Sequence, residues 1–344
     1  MRRWGRLSAL GTLVAVCTAM GCGAWSDPAE AGKRSSPTIP HSASPDLSWP
    51  DQPEELGRVR WMRGFEQAKA QAQATGKPLL VLFDEVPGCS TVLAYGNGTL
   101  SDPLVVDAIE ESFVPVVVYN NVAGPDRKVL NAYGEPTWNN PVVRILDAKG
   151  DDVVPRLAGD YRSSTLLSRM VTALQRGNHA IPDWLALVER EARTEGQTET
   201  ALYSMYCFWS GEEHLGANEG VLSTTPGFAG GREVVEVVYD PKTTSRATLD
   251  AYAARGNATP LDASFRASAK DDRYRIRRTT WAAVPMTPAQ ASRVNAAVGA
   301  GEDPSRWLSP RQRALHERAK VSGQATSAGL GREDLRRAFD KAIR

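Results

Sequence analysis

Along the first half of the chain, stretches with helical spacing of apolar residues alternate with unbroken apolar runs. Residues 59–74 are charged and alanine-rich, with Trp61, Phe65 and Ala68 at helical spacing, which predicts a helix. Lys77-Pro78 opens Leu79-Leu80-Val81-Leu82-Phe83, the kind of continuous apolar run carried by a strand buried on both faces. After a loop containing Pro87-Gly88-Cys89, the pattern predicts a helix over 103–112, a buried strand over 114–119, a helix near 127–133 and a strand over 140–146. The turn Asp147-Ala148-Lys149-Gly150 leads to a strand around 153–157, and an amphipathic helix over 164–175 closes the series. Strand–helix alternation followed by a hairpin is an α/β layer arrangement.

Further on, a helical connector over 182–193 precedes a strand-like stretch, 200–206, which runs into Cys207-Phe208-Trp209. A second apolar strand begins at Glu233, and Thr287-Pro288-Ala289-Gln290 opens a helix. The chain closes on an amphipathic helix over 333–343.

The amino-terminal 22 residues stand apart. Three arginines in the first six residues precede an uncharged apolar run, 7–20, as in a secretory signal too short to span a bilayer comfortably. The run closes on Ala19-Met20-Gly21-Cys22, which resembles a bacterial lipobox, so Cys22 is the expected lipid anchor, with plain cleavage nearby as the alternative. Residues 23–55 are rich in Ser, Pro, Ala and Gly and are expected to form a disordered tether. The expected location is the cell envelope, held to the membrane by acylation on the periplasmic side, or secretion.

A length of 344 residues suggests two ordinary domains, and 42% apolar with 24% charged residues is a soluble globular mix. The formal charge of +1 and the lack of a basic stripe give no reason to expect a nucleic-acid partner. The four histidines show no ligand spacing, so no metal is expected. With Cys17 in the signal and Cys22 as anchor, the mature chain keeps Cys89 and Cys207 as thiols.

Residues 56–178 resemble the thioredoxin superfamily, specifically exported members with a Trp…Phe…Ala helix followed by Gly-Lys-Pro-Leu-Leu. The resemblance puts Cys89 at the first cysteine of the usual Cys-x-x-Cys, Ser101-Asp102-Pro103 at a recurrent tripeptide, and Pro141 at the cis-proline facing the redox cysteine. The second motif cysteine is Val92, so exchange within the motif is impossible. A single-cysteine redox partner and a degenerate domain kept for packing or docking both remain open.

Residues 199–344, after a connector over 179–198, resemble the peptide-methionine (S)-S-oxide reductases (methionine sulfoxide reductase A family). The residues that carry the resemblance run in the family's order: Cys207-Phe208-Trp209 with Glu212, Gly227-Phe228-Ala229-Gly230-Gly231, the strand from Glu233 to Asp240-Pro241, Tyr274-Arg275, Pro285 to Gln290, and Ala314-Leu315-His316. The two resemblances together imply a thioredoxin-like fold followed by a ferredoxin-like α/β sandwich. They imply a Cys207 thiolate that attacks the sulfoxide sulfur, with a protonated Glu233 and Tyr274 serving the departing oxygen. Phe208, Trp209 and Phe228 would wall the substrate methyl group and Glu212 would orient the site. No cofactor is implied beyond an external dithiol reductant, and the partners would be oxidised methionine-containing proteins or peptides.

Four departures bear on activity. Phe228 replaces a tyrosine, Tyr206 replaces the glycine before the nucleophile, the segment normally preceding the acid is missing, and Ala269 stands where an Asp is expected. Losing one donor to the oxygen costs roughly tenfold to a thousandfold in rate. No cysteine follows Cys207, so Cys89 is the candidate resolving thiol for a Cys207 sulfenic acid. A non-catalytic reductase-like binding module and a lipid-anchored thiol-exchange protein are the competing functions.

Overall fold

The computed structural model describes residues 46–138, 141–322 and 334–344. The signal segment, Cys22 and most of the expected tether lie outside them. The described chain starts α1 (Phe65–Thr75), β1 (Leu79–Asp84), α2 (Ser90–Asn97), α3 (Pro103–Ser112), β2 (Val114–Tyr119), α4 (Pro125–Ala132), β3 (Val142–Leu146), β4 (Leu157–Ala158) and α5 (Ser163–Arg176). The sheet order is β2-β1-β3-β4, with β1 parallel to β2 and antiparallel to β3. This is a mixed α/β domain of thioredoxin-like type.

The unbroken apolar run of β1 is explained by its two covered faces. Leu80 and Leu82 enter one core with Val105 and Ile109 of α3 and Leu166 and Met170 of α5. Leu79, Val81 and Phe83 enter the other with Ala68 and Ala72 of α1 and Leu130 of α4. The first helix is shorter than its pattern suggests. Met62 bridges to β2, donating to Pro115 O and accepting from Val117 N, and Gly64 at its extended N-cap delays the helix to Phe65.

The tether expected up to residue 55 ends earlier, because its last residues have partners. Leu47 and Trp49 pack on the first core. Trp49 lies under the guanidinium groups of Arg58 and Arg311, at 4.7 and 4.8 Å, and its indole donates to Asp340.

The second half comprises α6 (Asp183–Arg193), β5 (Glu199–Ser204), α7 (Phe208–Gly216), β6 (Val221–Ala229), β7 (Arg232–Tyr239), α8 (Arg246–Arg255), β8 (Thr259–Leu261), β9 (Arg266–Ala267), α9 (Pro288–Gly299), α10 (Pro310–Ser322) and α11 (Leu335–Ile343). Its sheet is antiparallel at every pairing, in the order β8-β5-β7-β6-β9. α7 and α8 pack on one face through Phe208, Leu215, Leu249 and Ala253 against Tyr203, Val235 and Val237. A capping box of Thr287 and Gln290 starts α9.

The carboxy-terminal helices depart from the expected domain boundary. Leu315 of α10 and Phe339 of α11 belong to the first core rather than to that of the second sheet. Electrostatics accounts for the placement of α10: Asp107 and Glu110 on α3 face the fully buried Arg311, which forms ion pairs with both. Trp184 of α6 donates to Glu111 on the same helix at 2.7 Å.

Candidate active site

Strand pairing sets the site. β5 pairs with β7 through Ser204 and Val234, and Met205 N donates to Glu233 O just beyond, so the turn into α7 rises beside Glu233. Cys207 takes extended backbone angles as the N-cap of α7, where its side chain makes no capping hydrogen bond. Glu233 Oε2 does the capping instead, accepting from Phe208 N at 2.9 Å. Glu233 lies on the same face of β7 as Val235 and Val237, the face that α7 covers, and is half-buried. Cys207 is a free, half-buried thiol, and Tyr206 before it is fully exposed.

A two-residue hairpin leads directly into the strand that carries Glu233. Ala229 pairs with Arg232, and Gly230 and Gly231 between them have φ of 56° and 75°. Positive φ at both central residues is what a tight turn matched to the strand twist demands, and glycine adopts it without strain. Gly211 serves packing: a Cβ there would run into the Met205 sulfur, and Met205 packs against the core that α7 shares with Val235.

Beside Cys207 the aromatic rings form a row. Phe228 meets Phe208 at 5.6 Å, Phe208 meets Trp209 at 5.8 Å, and Trp209 stacks on Tyr274 at 4.0 Å with the planes 13° apart. The structure thus brings Cys207, Phe208, Trp209, Phe228, Glu233 and Tyr274 into one neighbourhood.

Glu212 lies one turn along α7 and is fully buried. Its Oε1 accepts from Arg273 N at 3.1 Å. Burial, reinforced by the neighbouring Asp272, pushes its carboxyl up to about 8. Arg273 has a φ of 52°, an uncommon conformation for a non-glycine residue, and directly precedes Tyr274. Asn295 of α9, also buried, accepts from Arg275 N and Ile276 N at 3.1 and 3.3 Å. Glu212 and Asn295 therefore clamp the turn that presents Tyr274. The parts of Arg273, as the strained residue of the turn, and of Asn295, as its clamp, have no motif behind them, since they depend on one dihedral angle and on a long-range contact.

The other singled-out residues lie elsewhere. His316 is buried, bonded to Thr280 Oγ1 at 2.8 Å and stacked on Trp281, and burial pushes it down to about 4. Cys89 is an exposed free thiol at the N-cap of α2. Beneath its loop, Glu55 accepts from Gly88 N at 2.9 Å, and burial pushes Asp84 at the end of β1 up to about 8. Pro141 is buried ahead of β3, while its bond to residue 140 lies outside the described residues. Among the described residues no group of acidic, histidine or cysteine side chains forms a metal cluster, and no helix is long and apolar enough to cross a membrane.

Comparison with known proteins gives one family-model match and short partial matches to curated proteins. Residues 60–148 match a family model described as thioredoxin-like. A stretch of 62 residues is 40% identical to the peptide methionine sulfoxide reductase MsrA of Methanococcus maripaludis, covering 13% of this chain and 40% of that protein. A stretch of 55 residues is 44% identical to the peptide methionine sulfoxide reductase of Drosophila melanogaster, covering 12% of this chain and 22% of that one. The chain therefore spans two fifths or less of the length of these curated relatives.

Proposed function

We propose that this chain reduces methionine-S-sulfoxide in exported proteins or peptides, using Cys207 as nucleophile. The observation that carries the reading is the 2.9 Å contact of Glu233 with Phe208 N, which fixes a carboxyl group at the first turn of the helix that begins directly after Cys207. Cys207 Sγ attacks the sulfoxide sulfur, and the oxygen, protonated through Glu233 and Tyr274, passes to the cysteine sulfur as the S–O bond of the substrate breaks. Methionine leaves, and Cys207 carries the oxygen as a sulfenic acid, oxidised by two electrons. The row of rings from Phe228 to Tyr274 receives the S–CH3 group. Glu212 acts at one remove, by holding the Arg273 turn.

Resolution requires a second thiol. Cys89 condenses with the sulfenic acid to give a disulfide and water, and an external dithiol reduces that bond. The strand order of the second sheet, with α7 and α8 on one face, supports a ferredoxin-like arrangement of the methionine sulfoxide reductase A kind. Lipid anchorage through Cys22 would place the reaction at the cell envelope.

The test is chromatographic analysis of a methionine-S-sulfoxide peptide incubated with excess dithiothreitol and the full chain. Turnover that vanishes in Cys207→Ser supports the reading. Turnover that survives in that variant refutes it. No turnover with the unaltered chain would favour a non-catalytic binding module, a reading that the loss of a hydroxyl donor at Phe228 favours.

A further inference from the structure

The row of rings beside Cys207 ends on a cation at both sides. Arg266 holds its guanidinium over Phe228 at 5.2 Å, and Arg278 holds its own over Tyr274 at 4.2 Å. Both arginines are exposed. Their neighbours in the same segment are committed. Arg275 pairs with Glu213 at 3.2 Å, Arg277 donates to the carbonyls of Lys270 and Ala269, and Arg273 is buried. Among the described residues Arg266 and Arg278 form no ion pair, and the nearby Asp271 accepts from Ser268 at 2.6 Å. Stacking uses the face of a guanidinium and leaves its N–H edges free for a carboxylate fork.

The successive ring separations cap the reach from Phe228 to Tyr274 at roughly 15 Å, the length of at most about four or five residues of extended peptide. Cys207 directly precedes Phe208, a member of the row, and the Tyr206 side chain before it is fully exposed.

We propose that Arg266 and Arg278 select oxidised-methionine segments with acidic residues on both sides of the sulfoxide. The sulfoxide side chain enters between the rings, and a Glu or Asp on each flank meets one guanidinium. This deepens the functional reading above and rests on it for the identity of the central residue. It makes the preferred substrate a peptide or protein segment, because the selecting carboxylates belong to residues flanking the sulfoxide.

The experiment uses the full chain as Cys207→Ser, which holds substrate without converting it, and fluorescent peptides with a central methionine-S-sulfoxide flanked by Glu, Gln or Lys. Anisotropy titrations at low salt are expected to rank Glu-flanked above Gln-flanked above Lys-flanked peptides. Each acidic flank should tighten Kd roughly three- to fivefold, and the difference should shrink as salt screens exposed charges. Adding Arg266→Gln or Arg278→Gln should remove one flank's share. Adding Arg266→Glu with Arg278→Glu should invert the order in favour of Lys. Equal binding of Glu- and Gln-flanked peptides, a preference that survives both Gln substitutions, or no binding of any peptide would overturn the proposal. A parallel turnover assay on the unaltered chain separates the two ideas. Turnover with no flank preference sinks the selection by arginine and leaves the chemistry standing. Flank-dependent binding with no turnover does the reverse.

Discussion

Replacing Glu212 by Gln is expected to stabilise the fold at neutral pH and to leave it unchanged in acid. The carboxyl is fully buried and titrates near 8, against 4.5 for an ordinary glutamate. Below 4.5 both the folded and unfolded states hold the proton, so the group is neutral throughout. Between 4.5 and about 8 folding must take up a proton, and the raised value lowers stability progressively as pH rises, with no further loss above 8. At pH 7 the gap of 2.5 pH units corresponds to about 3 kcal/mol as an upper limit, at 1.36 kcal/mol per unit. Glutamine carries no proton to titrate and can still accept from Arg273 N. Urea unfolding of both proteins at pH 4.5 and pH 7 gives the double difference, in which other titrating groups such as Asp84 cancel. The expected gain of the variant at pH 7 over pH 4.5 is 1–3 kcal/mol. A gain that is equal at both pH values, or larger in acid, would refute the assignment of a proton to Glu212.

Three further outcomes follow from named contacts. Glu233→Gln retains an oxygen that can accept from Phe208 N, so its Tm should move by no more than a few degrees, while turnover falls by roughly 10²- to 10⁴-fold if Glu233 moves the proton; unchanged turnover would leave it a helix cap. Arg311→Met strands the buried Asp107 charge, and calorimetry should show a loss of about 3–5 kcal/mol; a loss under 1 kcal/mol would mean that the pair does not hold α10 to α3. Cys89→Ser should leave the first turnover intact and slow later cycles driven by a dithiol protein, as read by stopped flow; equal steady-state rates would remove Cys89 from resolution.

Residues that obey a local periodicity, or follow a family's motif order, were legible in the sequence. The run Leu79 to Phe83 foretold a strand covered on both sides, and two cores do receive its alternate side chains. The order Cys207, Phe228, Glu233, Tyr274 foretold residues that the fold gathers at one place. Less legible were contacts made across long separations. Glu212 and Glu213 are adjacent and alike in sequence, but helical geometry buries the first and leaves the second to pair with Arg275. Nothing local distinguishes Arg311 from the other arginines of its helix; Asp107, 204 residues away, decides its burial. Trp49 likewise reads as part of a polar tether until Arg58, Arg311 and Asp340 are placed around it.

The most direct test of the chemistry is a single turnover without reductant. One equivalent of methionine-S-sulfoxide peptide is mixed with the reduced full chain, and product and protein are weighed by mass spectrometry. The account predicts one equivalent of methionine, with Cys207 either heavier by one oxygen or joined to Cys89 with the loss of two hydrogens. Methionine formed with both thiols unmodified, or no methionine at all, would contradict it.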